Sequence, residues 1–245
     1  MKVIAIIPAR FASTRFPGKP LVLIHDKPMI QHVYEKALSS GFFKKVIVAT
    51  DDERIKNVVS EFGGEVMMTN KNHQSGTDRC GEVIQKLPNE FDVVVNIQGD
   101  EPFIHFAQLE ELIGLFKTTP AQIGTLKKVL TNHDELMDPN VVKVVTGVDQ
   151  RALYFSRHPI PFLRDSLQKE WIGKQAYYKH IGLYGYRVET LQEIVQLSAS
   201  LLEKSESLEQ LRWLEYGYQI FVAETNHESI GIDTPEDLKK IIGKE

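Results

Sequence analysis

The chain has 245 residues, 42% of them hydrophobic and 25% charged, and a formal net charge of −4. That length permits one large domain or a domain with a sizeable excursion, and the mild acidity excludes a global basic field for holding nucleic acid. The single cysteine, Cys80, excludes an intrachain disulfide and a cysteine-rich zinc site, and is expected to be a small half-buried side chain.

The N-terminal "MKVIAIIPAR" is too short an apolar run for a membrane span and lacks a small-residue cleavage pattern, so a soluble, cytoplasmic protein is expected. "VIAII" (3–7) predicts a buried strand, and "PMIQHVYEKALSSG" (28–41) a helix ending at Gly41. "KVIVAT" (45–50) predicts a second strand, followed by a helix in "DDERIKNVVSEFGG", whose acidic start and terminal glycines fit helix polarity. "DVVVNIQ" (92–98) is a further buried strand and "QLEELIGLF" (108–116) a further helix. Such alternation argues for a parallel α/β sheet. "VVKVVTGV" (141–148), "ALYFS" (152–156) and "HIGLYGYR" (180–187) are strand-like, with a long polar stretch (163–179) between the last two. The expectation is one domain over 1–245, with 139–187 as an antiparallel elaboration of the main sheet. "SLEQLRWLE" (207–215) predicts an amphipathic helix with Leu208, Leu211 and Leu214 inward, before a return to α/β character in "YQIFVAE" (218–224) and "TPEDLKKIIG" (234–243).

Open α/β sheets bind ligands beyond the carboxyl ends of their strands, and unusual residues stand there. After the first strand, Arg10, Arg15 and Lys19 follow with no acid among them, which suggests a small anionic ligand. Gly18 can place backbone N–H groups near the same anion. The spacing is neither a Walker P-loop nor a dinucleotide fingerprint. In "VNIQGDEP", Asp100 and Glu101 should point to opposite sides. With Asp100 inward it either satisfies a turn or holds a magnesium ion between carboxylate and phosphate. Asp233 in "GIDTPEDL" precedes a helix start, where capping is the plain alternative. "HQSGTDR" supplies Ser75, Thr77 and Arg79 for a nucleobase edge or phosphate, or is an ordinary helix start. His180 and Tyr184 share a strand face, which suits either a polyol carrying a carboxylate or a core pair. Arg157 ends another strand, available to a carboxylate or a structural ion pair, while Glu209 and Gln210 read as solvent-facing on helical spacing alone.

Together "IPARFASTRFPGKPL", "HQSGTDR", "NIQGDEP", "ALYFSR", "HIGLYGYR", "LEQLRWLEYG" and "DTPEDL" closely resemble the 3-deoxy-manno-octulosonate cytidylyltransferases, in order from residue 3 to about 242. The resemblance implies a nucleotidyltransferase-type, Rossmann-like α/β fold with a mixed, mostly parallel sheet flanked by helices. It implies transfer of CMP from CTP to 3-deoxy-D-manno-octulosonate (Kdo) with release of pyrophosphate, magnesium dependence, a homodimer and a role in lipopolysaccharide synthesis. By matching positions, Arg10, Arg15 and Lys19 are implied triphosphate ligands, and Ser75, Thr77 and Arg79 nucleotide contacts. Asp100 and Asp233 are implied magnesium carboxylates, with Arg10, Lys19, Asp100 and Asp233 as the catalytic set. Gln98, Arg157, His180, Tyr184, Glu209 and Gln210 are the implied sugar-binding set, which reverses the solvent-facing reading of the last two. A cytidylyltransferase for 8-amino-Kdo or a sialic acid is the nearest alternative, and a non-catalytic nucleotide-binding regulator a more distant one. Phe11 and Phe16 in the first loop and "SASLLEKSES" depart from the family pattern without touching the named polar positions.

Overall fold

The computed structural model describes residues 1–12, 16–228, 231–232 and 234–242, the last three through their backbone. The chain begins with β1 (Val3–Ala9), a 3-10 turn (Lys19–Leu21), the hairpin β2 (Leu23–Ile24) and β3 (Lys27–Pro28), and α1 (Met29–Ser39). Next come β4 (Lys45–Thr50), α2 (Glu53–Glu61), β5 (Val66–Met68), α3 (Gly76–Lys86) and β6 (Val93–Asn96). There follow α4 (Phe106–Thr118), β7 (Ile123–Val129), α5 (His133–Met137), β8 (Lys143–Thr146), β9 (Ala152–Ser156), a 3-10 turn (Gln168–Glu170), α6 (Trp171–Lys174) and β10 (Tyr178–Arg187). The last elements are α7 (Val188–Ile194), α8 (Leu201–Glu206), α9 (Glu209–Glu215), β11 (Ile220–Glu224) and α10 (Pro235–Ile242).

Contacts divide the chain into two compact units, each assembled from separate segments. The first comprises Met1–Phe106, Tyr186–Val195 and Glu228–Glu245, and the second Ala107–Gly185 and Gln196–His227.

In the first unit β1 lies between β4 and β6, with β5 beyond β4, all parallel. Ile4, Ala5, Ile6 and Ile7 are fully buried, and α1 and α3 pack on this strand. A strand covered on both faces shows no alternation, which is why "VIAII" is continuously apolar. On α1 the buried residues Met29, Ile30, Val33, Tyr34 and Ala37 recur at helical spacing. On α3 Cys80 is fully rather than half buried. The end of the chain is organised as its spacing predicts: Pro235 opens α10, Thr234 Oγ1 accepts from Asp237 N–H at 3.2 Å, and Asp237 accepts from Thr234 N–H at 3.0 Å.

In the second unit β7 and β11 are parallel, while β8 runs antiparallel to both β9 and β10. The strand-like segments within 139–187 are therefore antiparallel, as expected. The sequence reading omitted β7 because Gly124, Lys127 and Lys128 interrupt its apolar run. Its polarity is absorbed laterally: Lys127 Nζ lies 3.9 Å from the Tyr178 ring centre and donates to Thr146 Oγ1 at 2.8 Å. The polar stretch 163–179 is likewise anchored, since buried Trp171 and Tyr177 stack 5.9 Å apart and pack with Leu130 and Leu136.

Candidate active site

Because β1 and β6 are parallel and in register from Val3 with Val93, their carboxyl ends emerge at one edge of the sheet. An open cavity of about 240 Å³ lies there, lined entirely by the first unit, and it includes Arg10, Lys19, Ser75, Arg79, Gln98 and Asp100. Two phenylalanines anchor the loop that carries the cations. The Phe11 ring lies 3.3 Å from the Arg54 guanidinium, and Phe16 packs on Ile24, Met29 and Ile232. Gly18 adopts φ 72°, and its N–H donates to the Phe11 carbonyl at 2.9 Å. It therefore shapes the loop and does not present an N–H to an anion, contrary to expectation. At Gly99 a Cβ would stand 2.8 Å from the Pro8 carbonyl oxygen, so only glycine lets the two strand ends approach this closely.

Asp100 lines the cavity and Glu101 does not, the expected division of the pair. Lys19, however, does not wait unpaired for a ligand. Its Nζ donates to Asp100 Oδ2 at 2.5 Å, an ion pair across 81 residues of sequence. Arg10 is exposed at the cavity. Arg15 and Asp233 lie outside the described residues.

"HQSGTDR" is the loop and first turn of α3. Ser75 is its N-cap, accepting from Asp78 N–H at 3.1 Å, while Asp78 accepts from Ser75 N–H at 3.1 Å. Ser75 thus both caps and lines the cavity. Thr77 is 3% exposed and does not line the cavity, so its side chain packs in the core. Arg79 reaches the wall, but its guanidinium is committed to Asp51 at 2.8 Å, Thr69 Oγ1 at 2.8 Å and the Asn70 carbonyl at 3.3 Å. Its main contacts are structural. The residue-by-residue reading passed over His73, which lines the cavity and pairs with Glu82 at 2.5 Å. The signal was present: a histidine in the quoted loop and a carboxylate nine residues on.

The remaining candidates, apart from Gln98, belong to the second unit. His180 and Tyr184 do share a face of β10, with ring centres 5.3 Å apart. His180 also meets Phe155 edge-on at 5.1 Å, and Tyr184 meets Trp213 edge-on at 5.2 Å. Burial drives the His180 pKa down to about 3, so the imidazole is neutral near pH 7 and joins Thr125 Oγ1 by a hydrogen bond of 2.9 Å. Burial, and then the nearby Glu209 carboxylate, push Tyr184 well above the usual phenol range. Gln210 is 6% exposed and Glu209 half-buried, so the solvent-facing reading fails for this turn. Gln210 and Trp213 take buried places on α9, while Leu214 is only half-buried.

Arg157 is a second correction. Its Nε donates to the Glu206 carbonyl at 2.7 Å, its Nη1 to the Pro139 carbonyl at 2.9 Å and its Nη2 to the Ser207 carbonyl at 3.3 Å. The guanidinium caps the carboxyl end of α8, and the Glu206 side chain returns to Ser156 Oγ and Arg157 N–H. Here Arg157 holds backbone and is not presented to a ligand carboxylate.

A mixed α/β fold with a mostly parallel sheet carrying cations and a carboxylate at its strand ends suits a nucleotidyltransferase. The cytidylyltransferase family profile matches residues 4–229. A 3-deoxy-manno-octulosonate cytidylyltransferase from Parabacteroides distasonis is 53% identical over 99% of this chain and 97% of its own length. One from Phocaeicola vulgatus is 54% identical over 98% and 96%. The solved structure of CMP:2-keto-3-deoxy-manno-octonic acid synthetase complexed with CTP superposes with a TM-score of 0.91 at 44% identity, covering 99% of this chain and 98% of that one. The chain belongs to the cytidylyltransferase family, among the 3-deoxy-manno-octulosonate cytidylyltransferases. It is an enzyme of the nucleotidyltransferase type. Among the described residues, no helix is long and apolar enough to cross a membrane.

Proposed function

We propose that the chain transfers CMP from CTP to the anomeric hydroxyl of Kdo, giving CMP-Kdo and pyrophosphate. The observation that carries this reading is the meeting of Lys19 and Asp100 beside Arg10 at the strand ends, a cation set and a carboxylate in one cavity. In the reaction the hydroxyl oxygen bonds to the α-phosphorus as the bond from phosphorus to the bridging oxygen of pyrophosphate breaks, and the hydroxyl proton passes to solvent water. Arg10, Lys19 and, in this reading, Arg15 hold the charge gathering on the departing pyrophosphate. Before ligand arrives, Lys19 and Asp100 neutralise one another. Nucleotide binding exchanges this pair, freeing the ammonium for a phosphate and the carboxylate for a cation. His180 and Tyr184, both uncharged near neutrality, offer hydrogen bonds to sugar hydroxyls without adding charge, with Gln210 as a further partner.

Magnesium is part of the proposal. Among the described residues no group of three or more His, Cys, Asp or Glu forms a metal cluster. Mg²⁺ takes only one or two carboxylates with substrate oxygens and water, so the partly exposed Asp100 carboxylate fits it. The Ile232 N–H donates to the Asp100 carbonyl at 3.0 Å, which supports Asp233 as the second carboxylate. When bound, the ion would screen the repulsion between triphosphate and sugar carboxylate. The reading includes a cytoplasmic homodimer serving lipopolysaccharide synthesis. Pyrophosphate release measured with CTP against the other nucleoside triphosphates, with Kdo, 8-amino-Kdo, a sialic acid or no sugar, tests it. Release requiring both CTP and Kdo is expected, and none with any sugar acid would overturn it.

A further inference from the structure

The loop 69–75 brings His73, Gln74 and Ser75 to the cavity, and α3, which follows it, reaches back with two charged side chains. Arg79 takes the Asn70 carbonyl and Thr69 Oγ1. Glu82, three residues on and therefore on the same helix face, accepts from the Asn70 backbone N–H at 2.8 Å and from His73 Nε2 at 2.5 Å. Lys86 Nζ completes the set at 2.5 Å. One helix thus holds both backbone polar groups of Asn70 and the imidazole of His73.

Burial would raise the Glu82 carboxyl, yet the Asn70 N–H, Lys86 and His73 hold it down to about 2. It is ionised and acceptor-only near neutral pH, so the His73 nitrogen facing it carries a proton. His73 lines the cavity and Glu82 does not. A carboxylate with one neighbour in the site and none of its own atoms there acts through that neighbour.

We propose that Glu82 is a positioning residue for the nucleotide: it fixes the loop 69–75, with His73 upon it, in the form that walls the cavity before CTP arrives. The proposal rests on reading this cavity as the CTP site. A pre-ordered loop loses less conformational freedom on binding, so the clamp acts on nucleotide affinity more than on the chemical step.

The test is Glu82→Gln, which keeps the shape, removes the charge and turns one acceptor into a donor facing donors. Both KM for CTP and the Kd for CTP titrated calorimetrically without sugar should rise about tenfold, as expected for losing charge-assisted hydrogen bonds. The turnover number should fall less than about threefold, with KM for Kdo unchanged, and hydrogen-exchange protection of the Asn70 amide should drop. His73→Gln should weaken CTP binding in the same direction, non-additively with Glu82→Gln. Lys86→Ala should weaken CTP binding far less than Glu82→Gln, since the Asn70 N–H and His73 still hold the Glu82 carboxylate. A folded Glu82→Gln protein with wild-type CTP affinity, or one whose KM for Kdo rises as much as that for CTP, overturns the proposal. Should Glu82→Gln fail to fold, wild-type affinity in His73→Gln does the same. Wild-type protein that binds no CTP overturns the cavity reading itself, a result distinct from failure of the clamp, which leaves wild-type titration intact.

Discussion

The two units carry polarity in opposite ways. In the first, the cavity is open and holds one charge pair that a ligand can exchange: Lys19 with Asp100, whose side chains are 12% and 31% exposed. In the second, His180 and Tyr184 are packed among aromatic rings and held uncharged by burial. An anionic, hydrated ligand such as a triphosphate needs mobile counter-charges. A polyol needs fixed, neutral partners, because each hydroxyl is recognised by direction more than by field. The contrast teaches which residues can change partners and which cannot.

The sharpest way to break that contrast is at the exchangeable pair. Asp100→Asn and Lys19→Ala should each lower turnover on the order of a hundredfold or more while moving the thermal midpoint little, because surface-proximal ion pairs contribute little stability. Lys19→Ala should also strengthen Mn²⁺ binding to the ligand-free protein, measured by water-proton relaxation, since the competing ammonium is gone. Near-normal pyrophosphate release in both variants would remove the basis for the exchange.

A second test addresses the fixed partners. Tyr184→Phe should raise KM for the sugar acid on the order of tenfold with the Kd for CTP unchanged, read by kinetics beside calorimetry. A larger loss in CTP affinity would place the tyrosine with the wrong substrate.

Arg157 sharpens the distinction between ligand and scaffold. Arg157→Gln should lower stability by about 1–3 kcal/mol in urea denaturation, because it strips donors from three backbone carbonyls. Unchanged stability together with a selectively raised KM for the sugar acid would return Arg157 to the binding set.

The pH dependence separates the units too. His180 is lowered from 6.5 to about 3 by burial, so between those values the unfolded chain binds a proton that the folded chain does not. Its contribution is complete above pH 6.5 and is lost as pH falls toward 3. The urea midpoint of wild type should therefore fall more between pH 7 and pH 5 than that of His180→Asn; parallel falls would mean the imidazole is not buried neutral.

The smallest effect on stability concerns the α10 cap. Thr234→Ala should cost about 0.5–2 kcal/mol. Asp233→Asn should leave stability nearly unchanged while abolishing activity. A loss of stability in Asp233→Asn equal to that in Thr234→Ala would make the aspartate a capping residue.

Much of this was determined locally. Continuous apolar runs such as "VIAII" announce strands covered on both faces, and the Thr234–Pro235–Asp237 spacing announces its cap, because helix ends satisfy their own N–H groups from adjacent residues. Asp100 does face the cavity and Glu101 does not, but the cause is the turn after β6, where Glu101 N–H donates to the Gln98 carbonyl, and not strand alternation; the family motifs are short and contiguous. What only the tertiary structure decided are the partners of long side chains. Lys19 finds Asp100 across 81 residues, Arg157 finds the end of α8 across 49, and Arg79 finds Asp51 across 28. A guanidinium or ammonium carries the same donors whether it meets a ligand or a carbonyl, so its sequence context does not distinguish the two. β7 was hidden for a related reason, Lys127 being accommodated by Tyr178 on β10 and Thr146 on β8. The neutrality of His180 was also set by packing, since a histidine is charged or uncharged according to the dielectric around it, which the fold creates.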